Sequence, residues 1–201
     1  MSQIAVDIVL LPPEEIMDIV IEANKELLRQ YPDKIILNKK DCLPHISLSM
    51  GCIDQKSIPD IEIMLKNIVK EHSIGPLCAA GVHAQKNSSG EKVSALQIEI
   101  TGSLQSLHEQ LMRKMTQFFS YDVRADMFLG DGTVSKSTLL WIKNYPEKSS
   151  FGKFSPHITL GYGRIEISGL PIKFAASKLA LCHMGNHCTC RKVLAAAELI
   201  A

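Results

Sequence analysis

The chain carries one octapeptide twice, as Pro44-His45-Ile46-Ser47-Leu48-Ser49-Met50-Gly51 and as Pro156-His157-Ile158-Thr159-Leu160-Gly161-Tyr162-Gly163. Between the bounding Pro and Gly of each copy, apolar residues alternate with polar ones, which is the period-two pattern of a half-buried β-strand. Such a strand turns the His and the hydroxyl residue toward one face of a sheet and the Ile and Leu toward the other. Each copy is therefore predicted to present an imidazole beside a hydroxyl on a rigid support.

The repetition of the octapeptide is what makes it informative. A single His-x-(Ser/Thr) followed by an apolar residue is a weak signal, because any strand can contain it and a lone strand histidine is commonly held by a backbone carbonyl. Two copies that agree at Pro, His, Ile, hydroxyl, Leu and Gly are much harder to produce by chance. The repeat favours a functional interpretation of both copies.

Both copies contain an intact His-x-(Ser/Thr)-apolar motif, His45-Ile46-Ser47-Leu48 in the first quarter of the chain and His157-Ile158-Thr159-Leu160 in the last third. In these motifs and in their separation the chain resembles the 2H phosphoesterase superfamily of cyclic phosphodiesterases and 2′-5′ RNA ligase-like proteins. The resemblance implies a substrate with a 2′,3′-cyclic phosphate or a 2′-5′ phosphodiester bond. It also implies a fold of two similar lobes.

Hydrophobic periodicity predicts an α+β protein in which strands and amphipathic helices alternate. Residues 1–201 are expected to form a single domain of two similar lobes around a central cleft, each lobe a small antiparallel sheet with flanking helices and one motif strand. The pattern predicts helices over 14–29, 57–72 and 103–119. It predicts strands over 4–11, 43–53, 77–85 and 93–101, with a polar turn at 86–90. It also predicts the second motif strand and a closing hairpin of 172–182 with 187–199. Residues 121–154 receive no firm assignment.

The overall charge and hydrophobicity exclude several classes of protein. The net charge of +1 lacks the basic excess of proteins that hold long nucleic acids through their phosphates, so no extended nucleic-acid surface is expected. A nucleotide or an RNA end suits the chain better as a partner. No apolar run is long enough to span a bilayer, and no basic segment precedes a hydrophobic stretch near residue 1. The expectation is a cytoplasmic protein with no membrane partner.

The six cysteines are scattered among apolar segments, which predicts reduced and mostly buried thiols. One cluster contains possible zinc ligands, because thiolates and imidazoles occur close together at Cys182, His183, His187, Cys188 and Cys190. Its spacing matches no closed zinc pattern, and buried thiols on one strand face are ordinary. The sequence therefore predicts no metal.

The residue types in the motifs specify an acid-base chemistry. Hydrolysis of a phosphodiester needs a base for the attacking water and an acid for the departing sugar oxygen, and His45 and His157 fit these catalytic roles because imidazole titrates near pH ~6.5. Ser47 and Thr159 are predicted to bind the phosphate by donating hydrogen bonds to its non-bridging oxygens. The near symmetry of the motifs leaves open which histidine is the acid.

The predicted activity is hydrolysis of 2′,3′-cyclic phosphates or 2′-5′ bonds without a cofactor. Two alternatives stay open: a 2′-5′ RNA ligase activity, and a module that binds a nucleotide or phosphate without turnover. No Walker-type glycine-rich loop supports ATP-driven ligation. Strict alternation along the second motif places Tyr162 with Ile158 and Leu160, so Tyr162 is predicted to pack in the core.

Overall fold

The structure is a computed structural model that describes residues 3–32, 34–87, 90–130 and 132–199. Within these ranges it contains strands β1 (Gln3–Leu11), β2 (Ile46–Asp54), β3 (Leu77–Lys86), β4 (Lys92–Ile98), β5 (His157–Tyr162), β6 (Ile172–Phe174), β7 (Lys178–Gly185) and β8 (Thr189–Glu198). The helices are α1 (Glu14–Leu28), α2 (Ile58–Glu71), α3 (Gly102–Met115), α4 (Lys136–Lys143) and α5 (Tyr145–Lys148). Ser88 and Ser89 of the predicted 86–90 turn lie outside the described residues.

The eight strands form one sheet in the order β6-β3-β4-β5-β2-β1-β7-β8, with every neighbouring pair antiparallel. The two motif strands, β2 and β5, are neighbours in the middle and meet at a single bridging pair, Ile46 opposite Ile158. The predicted α+β class is confirmed. The description as two lobes, each with its own small sheet, is not confirmed, because pairing between the motif strands joins all eight strands.

One face of the sheet is covered by the three long helices. The motif side chains that were predicted to point inward, those of Ile46, Leu48, Ile158 and Leu160, have no exposed surface and lie in the main hydrophobic cluster. The helices contribute residues spaced three or four apart, as expected for the buried stripe of an amphipathic helix. These residues are Ile16, Val20, Ala23 and Leu27 of α1, Ile61, Leu65 and Ile68 of α2, and Leu104, Leu107 and Leu111 of α3.

The opposite face is covered over only part of its width. Residues 121–154, which had no firm assignment, include α4 and α5, and Ile142 and Tyr145 from these helices pack with Ala5, Met50 and Met184 of the sheet. Farther along the same face, His157 of β5 and its cross-strand neighbour Gln97 of β4 are exposed. The second motif therefore lies where the covered part of the face gives way to an open part.

The predicted closing hairpin is present as β7 and β8, but its first strand was predicted to begin too early. Residues 172–182 are not one strand: β6 pairs with β3 at one edge of the sheet, whereas β7 pairs with β1 and β8 near the other edge. The hydroxyl and the amide of Ser177 both donate to the Leu11 carbonyl, which holds the start of β7 beside β1. Because only residues 175–177 connect β6 to β7, a span of roughly 14 Å at most, the sheet curls until its edge β6 approaches β7.

The prediction of reduced thiols is wrong for Cys182 and Cys190, which form a disulfide between the neighbouring strands β7 and β8. Their Cα atoms are 5.6 Å apart, within the range that a disulfide spans. Cys42, Cys52 and Cys78 are buried free thiols, as expected. In the described ranges, no three His, Cys, Asp or Glu side chains are grouped as metal ligands would be. No helix in these ranges is long and apolar enough to cross a membrane.

Candidate active site

The pairing of the two motif strands brings all four predicted site residues together. The bridge between the strands sets a register in which His45 is opposite Thr159 and Ser47 is opposite His157. All four side chains alternate with buried residues and so lie on the face that the long helices do not cover. His45 and His157 are diagonal neighbours in this arrangement, a relation that places residues about 7–8 Å apart. At this separation the charge of His157 influences His45.

Both catalytic candidates are held by the same local contact. Nδ1 of His45 lies 2.7 Å from the Leu43 carbonyl oxygen, and Nδ1 of His157 lies 2.8 Å from the Ser155 carbonyl oxygen. A carbonyl only accepts, so Nδ1 carries the proton in each ring and Nε2 is the nitrogen that can exchange a proton with a substrate. The shared x-Pro-His sequence places the accepting carbonyl two residues before each histidine. This contact gives the two rings equivalent tautomers.

The two histidines differ in their exposure. Only 12% of the His45 side chain is exposed, whereas His157 is an exposed residue. Burial lowers the pKa of His45, and the nearby His157 lowers it further, while hydrogen bonds to the backbone of Leu43 and Cys188 act in the opposite direction. The site is therefore symmetric in its motifs but asymmetric in solvation.

A buried carboxyl group lies directly behind the first motif, and the sequence patterns did not identify it as part of the site. Asp7 of β1 has no exposed surface, and its Oδ2 is 2.6 Å from the Ser47 hydroxyl, a hydrogen-bond distance. The same Oδ2 is 3.8 Å from His45 Nε2, which is too long for a hydrogen bond. The available signal was a single carboxylate in the otherwise apolar run from Ile4 to Leu11.

Tyr162 is buried in the main cluster, with 5% of its surface exposed, as predicted. Its hydroxyl nevertheless lies 3.2 Å from Nδ1 of His187, and His187 lines a small cavity together with His45 and Thr159. His187 is therefore a site neighbour that the motif patterns missed. Nothing in the local sequence links His187 to the motifs, because the loop between β7 and β8 reaches the site only through the curl of the sheet.

Strict alternation does not continue through the second motif, because β5 contains a one-residue bulge. Thr159 pairs with Ala95 of β4, but the next pair is Gly161 with Ser94, so β5 has one residue more than β4 at this point. Gly161 has φ +142°, and a Cβ on it would lie 2.9 Å from Nδ2 of Asn24. The bulge therefore requires glycine at this position for two separate reasons.

Asn24 of α1 stabilises the bulge and one wall of the cavity. Its Nδ2 donates to the Leu160 carbonyl at 2.7 Å and to the Ile35 carbonyl at 2.9 Å, and its Oδ1 accepts from the Leu37 amide at 2.9 Å. Asn24 is 1% exposed, so these three bonds form away from water. Ile35 and Leu37 line the same cavity as His45. One buried amide thus links the second motif to the segment that flanks the first.

His108 of α3, which has no motif around it, connects the two halves of the site from behind. Its Nδ1 donates to the Leu48 carbonyl at 2.6 Å, and its Nε2 accepts from the Phe151 amide at 2.8 Å. The ring also stacks on Phe154 at 4.0 Å between centroids. Burial lowers the pKa of His108, in agreement with a neutral ring that both donates and accepts. His108 therefore joins the first motif strand to the segment that leads into the second.

The fold and the site define an α+β protein that holds two His-x-(Ser/Thr) pairs on neighbouring antiparallel strands. No protein-family model and no curated protein matches the chain. The crystal structure of TT0787 of Thermus thermophilus is similar with a TM-score of 0.56 and 15% identity, over 98% of each chain. The crystal structure of Escherichia coli LigT in its apo form is similar with a TM-score of 0.54 and 12% identity, over 100% of each chain.

A third similar structure is that of a protein described as a phosphoesterase, with a TM-score of 0.47 and 11% identity over 98% of this chain and 99% of that chain. The likeness to TT0787 and LigT extends over practically the whole chain and is a likeness of fold. This likeness agrees with the α+β class predicted from the sequence.

Proposed function

We propose that this protein is a metal-independent phosphodiesterase that hydrolyses 2′,3′-cyclic phosphates or 2′-5′ phosphodiester bonds of nucleotides or RNA ends. The observation that carries the proposal is the register of the motif strands, which sets His45 and His157 diagonally on one face with a hydroxyl opposite each. Had the two imidazoles faced different surfaces, no single phosphate would have reached both. The likeness of fold to LigT and TT0787 supports the same class of chemistry.

In the proposed reaction a water molecule attacks the phosphorus atom of the cyclic diester. One imidazole takes a proton from this water as the new P–O bond forms, and the other donates a proton to the sugar oxygen as its P–O bond breaks. The product is a phosphate monoester with a free hydroxyl on the sugar. Ser47 and Thr159 donate hydrogen bonds to the non-bridging oxygens and stabilise the charge that develops there.

The difference in solvation supports an assignment of the two roles. Burial disfavours the charged form of His45, so the Nε2 of His45 is the better proton acceptor and we assign it as the base. We assign His157, which is exposed on the open part of the sheet face, as the acid that donates a proton to the departing sugar oxygen. When a hydroxyl takes the place of water, the same attack joins the 2′,3′-cyclic end to that hydroxyl, and the two histidines keep their roles.

The first expected result is turnover of a nucleoside 2′,3′-cyclic phosphate by chelator-treated protein, because the two imidazoles and two hydroxyls supply every group that the reaction needs. Product formation is followed by chromatography against authentic 2′- and 3′-monophosphates, which also reports which P–O bond breaks. Parallel incubations contain a short 2′-5′-linked oligonucleotide, and RNA ends that test for joining without ATP. Absence of turnover on every one of these substrates would refute the proposal.

The second expected result concerns pH. Because the pKa of His45 is lowered from its ordinary value, and this residue acts when deprotonated, the rise of kcat/KM on the acid side should have its midpoint below about pH 6.5. The decrease of kcat/KM on the alkaline side reports the group that acts in its protonated form. The profile is measured at constant ionic strength in the free-enzyme parameter kcat/KM. An acid-side midpoint above the ordinary histidine value would contradict the assignment of His45 as the base.

A further inference from the structure

The Asp7 carboxyl behind Ser47 has an environment that is unusual for an ionised group. Its side chain has no exposed surface, and Oδ1 is buried with no hydrogen-bond partner among the described residues. The closest cationic candidate in the same ranges is His45, whose Nε2 is 3.8 Å from Oδ2. A buried carboxylate with one unpartnered oxygen and no hydrogen-bonded cation is costly, whereas a neutral carboxylic acid at the same place is much less so.

The groups that face Asp7 from the surrounding elements are also unable to stabilise a negative charge well. On the neighbouring strands Asp7 is opposite Met50 of β2 and Cys182 of β7, the latter held in the disulfide. Tyr145 of α5 and the thiol of Cys188 also lie close to Asp7, and burial raises the pKa of both groups. Both are neutral groups, and neither compensates a carboxylate.

The protonation state of Asp7 decides what Ser47 can do for a substrate. The Ser47 hydroxyl has one proton, and an ionised Asp7 can only accept it across the 2.6 Å contact. Ser47 would then have no proton left for a phosphate oxygen, and its lone pairs would face the anionic substrate. A neutral Asp7 can instead donate its own proton to Ser47 Oγ across the same contact, which releases the hydroxyl proton of Ser47 toward the open cleft.

We propose that Asp7 is a positioning residue that remains protonated in the folded protein, donates a hydrogen bond to Ser47 Oγ, and thereby directs the Ser47 hydroxyl proton to the substrate phosphate. This assignment of Ser47 as a donor rests on the proposed phosphodiesterase function, but the protonation of Asp7 does not. Burial raises the pKa of Asp7 well above its ordinary value, and this effect outweighs the opposing influence of Ser47 and of the Ser49 backbone. The other motif hydroxyl has no comparable partner on its neighbouring strand: Thr159 is opposite Ala95 of β4, and β4 contains no carboxyl side chain.

The protonation of Asp7 is tested by infrared difference spectroscopy at neutral pH, which needs no substrate. Subtracting the spectrum of the Asp7→Asn variant from that of the unmodified protein should reveal the carbonyl stretch of a protonated carboxyl group. The matched control is Asp54→Asn, on β2, where hydrogen bonds from Lys56 lower the pKa of the carboxyl. That subtraction should reveal carboxylate bands instead. Carboxylate bands in both subtractions would overturn the proposal whatever the protein's activity.

The pH dependence of stability gives an independent readout. A raised pKa in the folded state means that the folded protein holds a proton that the unfolded chain releases above about pH 3.9. The stabilisation is fully present below that pH and is lost as pH rises through the folded pKa. The Asp7→Asn variant has no ionisable group at position 7 and does not lose this stability. As the pH rises, its melting temperature should therefore increase relative to that of the unmodified protein. A constant difference between about pH 4 and pH 8 would contradict a neutral Asp7.

The link to Ser47 is tested by kinetics on a 2′,3′-cyclic phosphate. Asn at position 7 keeps the shape and an N–H that donates to Ser47 Oγ, so Asp7→Asn should retain kcat within about threefold. Asp7→Leu removes the donor and should lower kcat about tenfold with little change in KM. Equal losses in the two variants, with both folded by circular dichroism, would show that the carboxylate itself is needed and would overturn the proposed orientation of Ser47.

Discussion

Replacing His157 with alanine is expected to lower kcat on a 2′,3′-cyclic phosphate by about 10²- to 10⁴-fold, the range that a positioned general acid or base contributes. The His157 side chain is exposed, and its ring is held by the carbonyl of Ser155, two residues away in the chain. Its removal should therefore leave the folded structure intact. Steady-state kinetics on the purified variant, with its melting temperature measured in parallel, separates loss of chemistry from loss of fold.

His45→Ala should cause a loss of the same order, and the double variant should be little worse than either single one. The reason is that an acid and a base acting in one transition state form a unit, and their contributions are not additive. His83→Ala is the matched control, because His83 is an exposed histidine of β3, two strands away from β5. Retained turnover in His157→Ala, or an equal loss in the His83 control, would refute the paired mechanism.

Replacing Asn24 with leucine is expected to destabilise the protein by about 3 kcal/mol or more. The change removes three buried hydrogen bonds and leaves the Leu160 carbonyl, the Ile35 carbonyl and the Leu37 amide without their partner, at a cost of about 1–3 kcal/mol for each unsatisfied group. Some of these groups will find other partners as the structure relaxes, so the lower part of the summed range is expected. Urea unfolding monitored by circular dichroism measures the loss.

Lys25→Ala is the control for Asn24→Leu on the same helix. The Lys25 side chain is 62% exposed and pairs with the similarly exposed Glu22, so its removal should change stability by no more than about 0.5 kcal/mol. Because Asn24 also supports the bulge after Thr159, the Asn24→Leu variant should lose activity at temperatures where it is still folded. A change below about 1 kcal/mol in Asn24→Leu would show that the buried amide is not important for stability.

The local alternation of the motifs was predictable because it depends only on the two-residue period of a strand. That period correctly separated Ile46 and Ile158, which are buried, from His45 and His157, which are on the other face. The same rule stops at Gly161, since a bulge interrupts the alternation between Thr159 and Gly161. This bulge depends on the pairing with β4 and on the hydrogen bond that Asn24 donates to Leu160, from which it is 136 residues away in the chain.

The long-range relations of the site could not be predicted in the same way. Cys182 and Cys190 were expected to be reduced, because the sequence does not show that β7 and β8 place their Cα atoms 5.6 Å apart. The assignment of residues 172–182 to one strand was wrong for a similar reason: the periodicity of β6 and β7 is the same, but their partners lie near opposite edges of one sheet.

By itself, then, the sequence determined the α+β class, the two motif strands and the four side chains on their polar face, because each of these follows from local periodicity and residue chemistry. Only the tertiary structure decided that the motif strands are neighbours, that His45 is much less exposed than His157, and that Asp7 lies behind Ser47. These relations depend on strand register and on solvent exclusion, and both arise when residues far apart in the chain pack together.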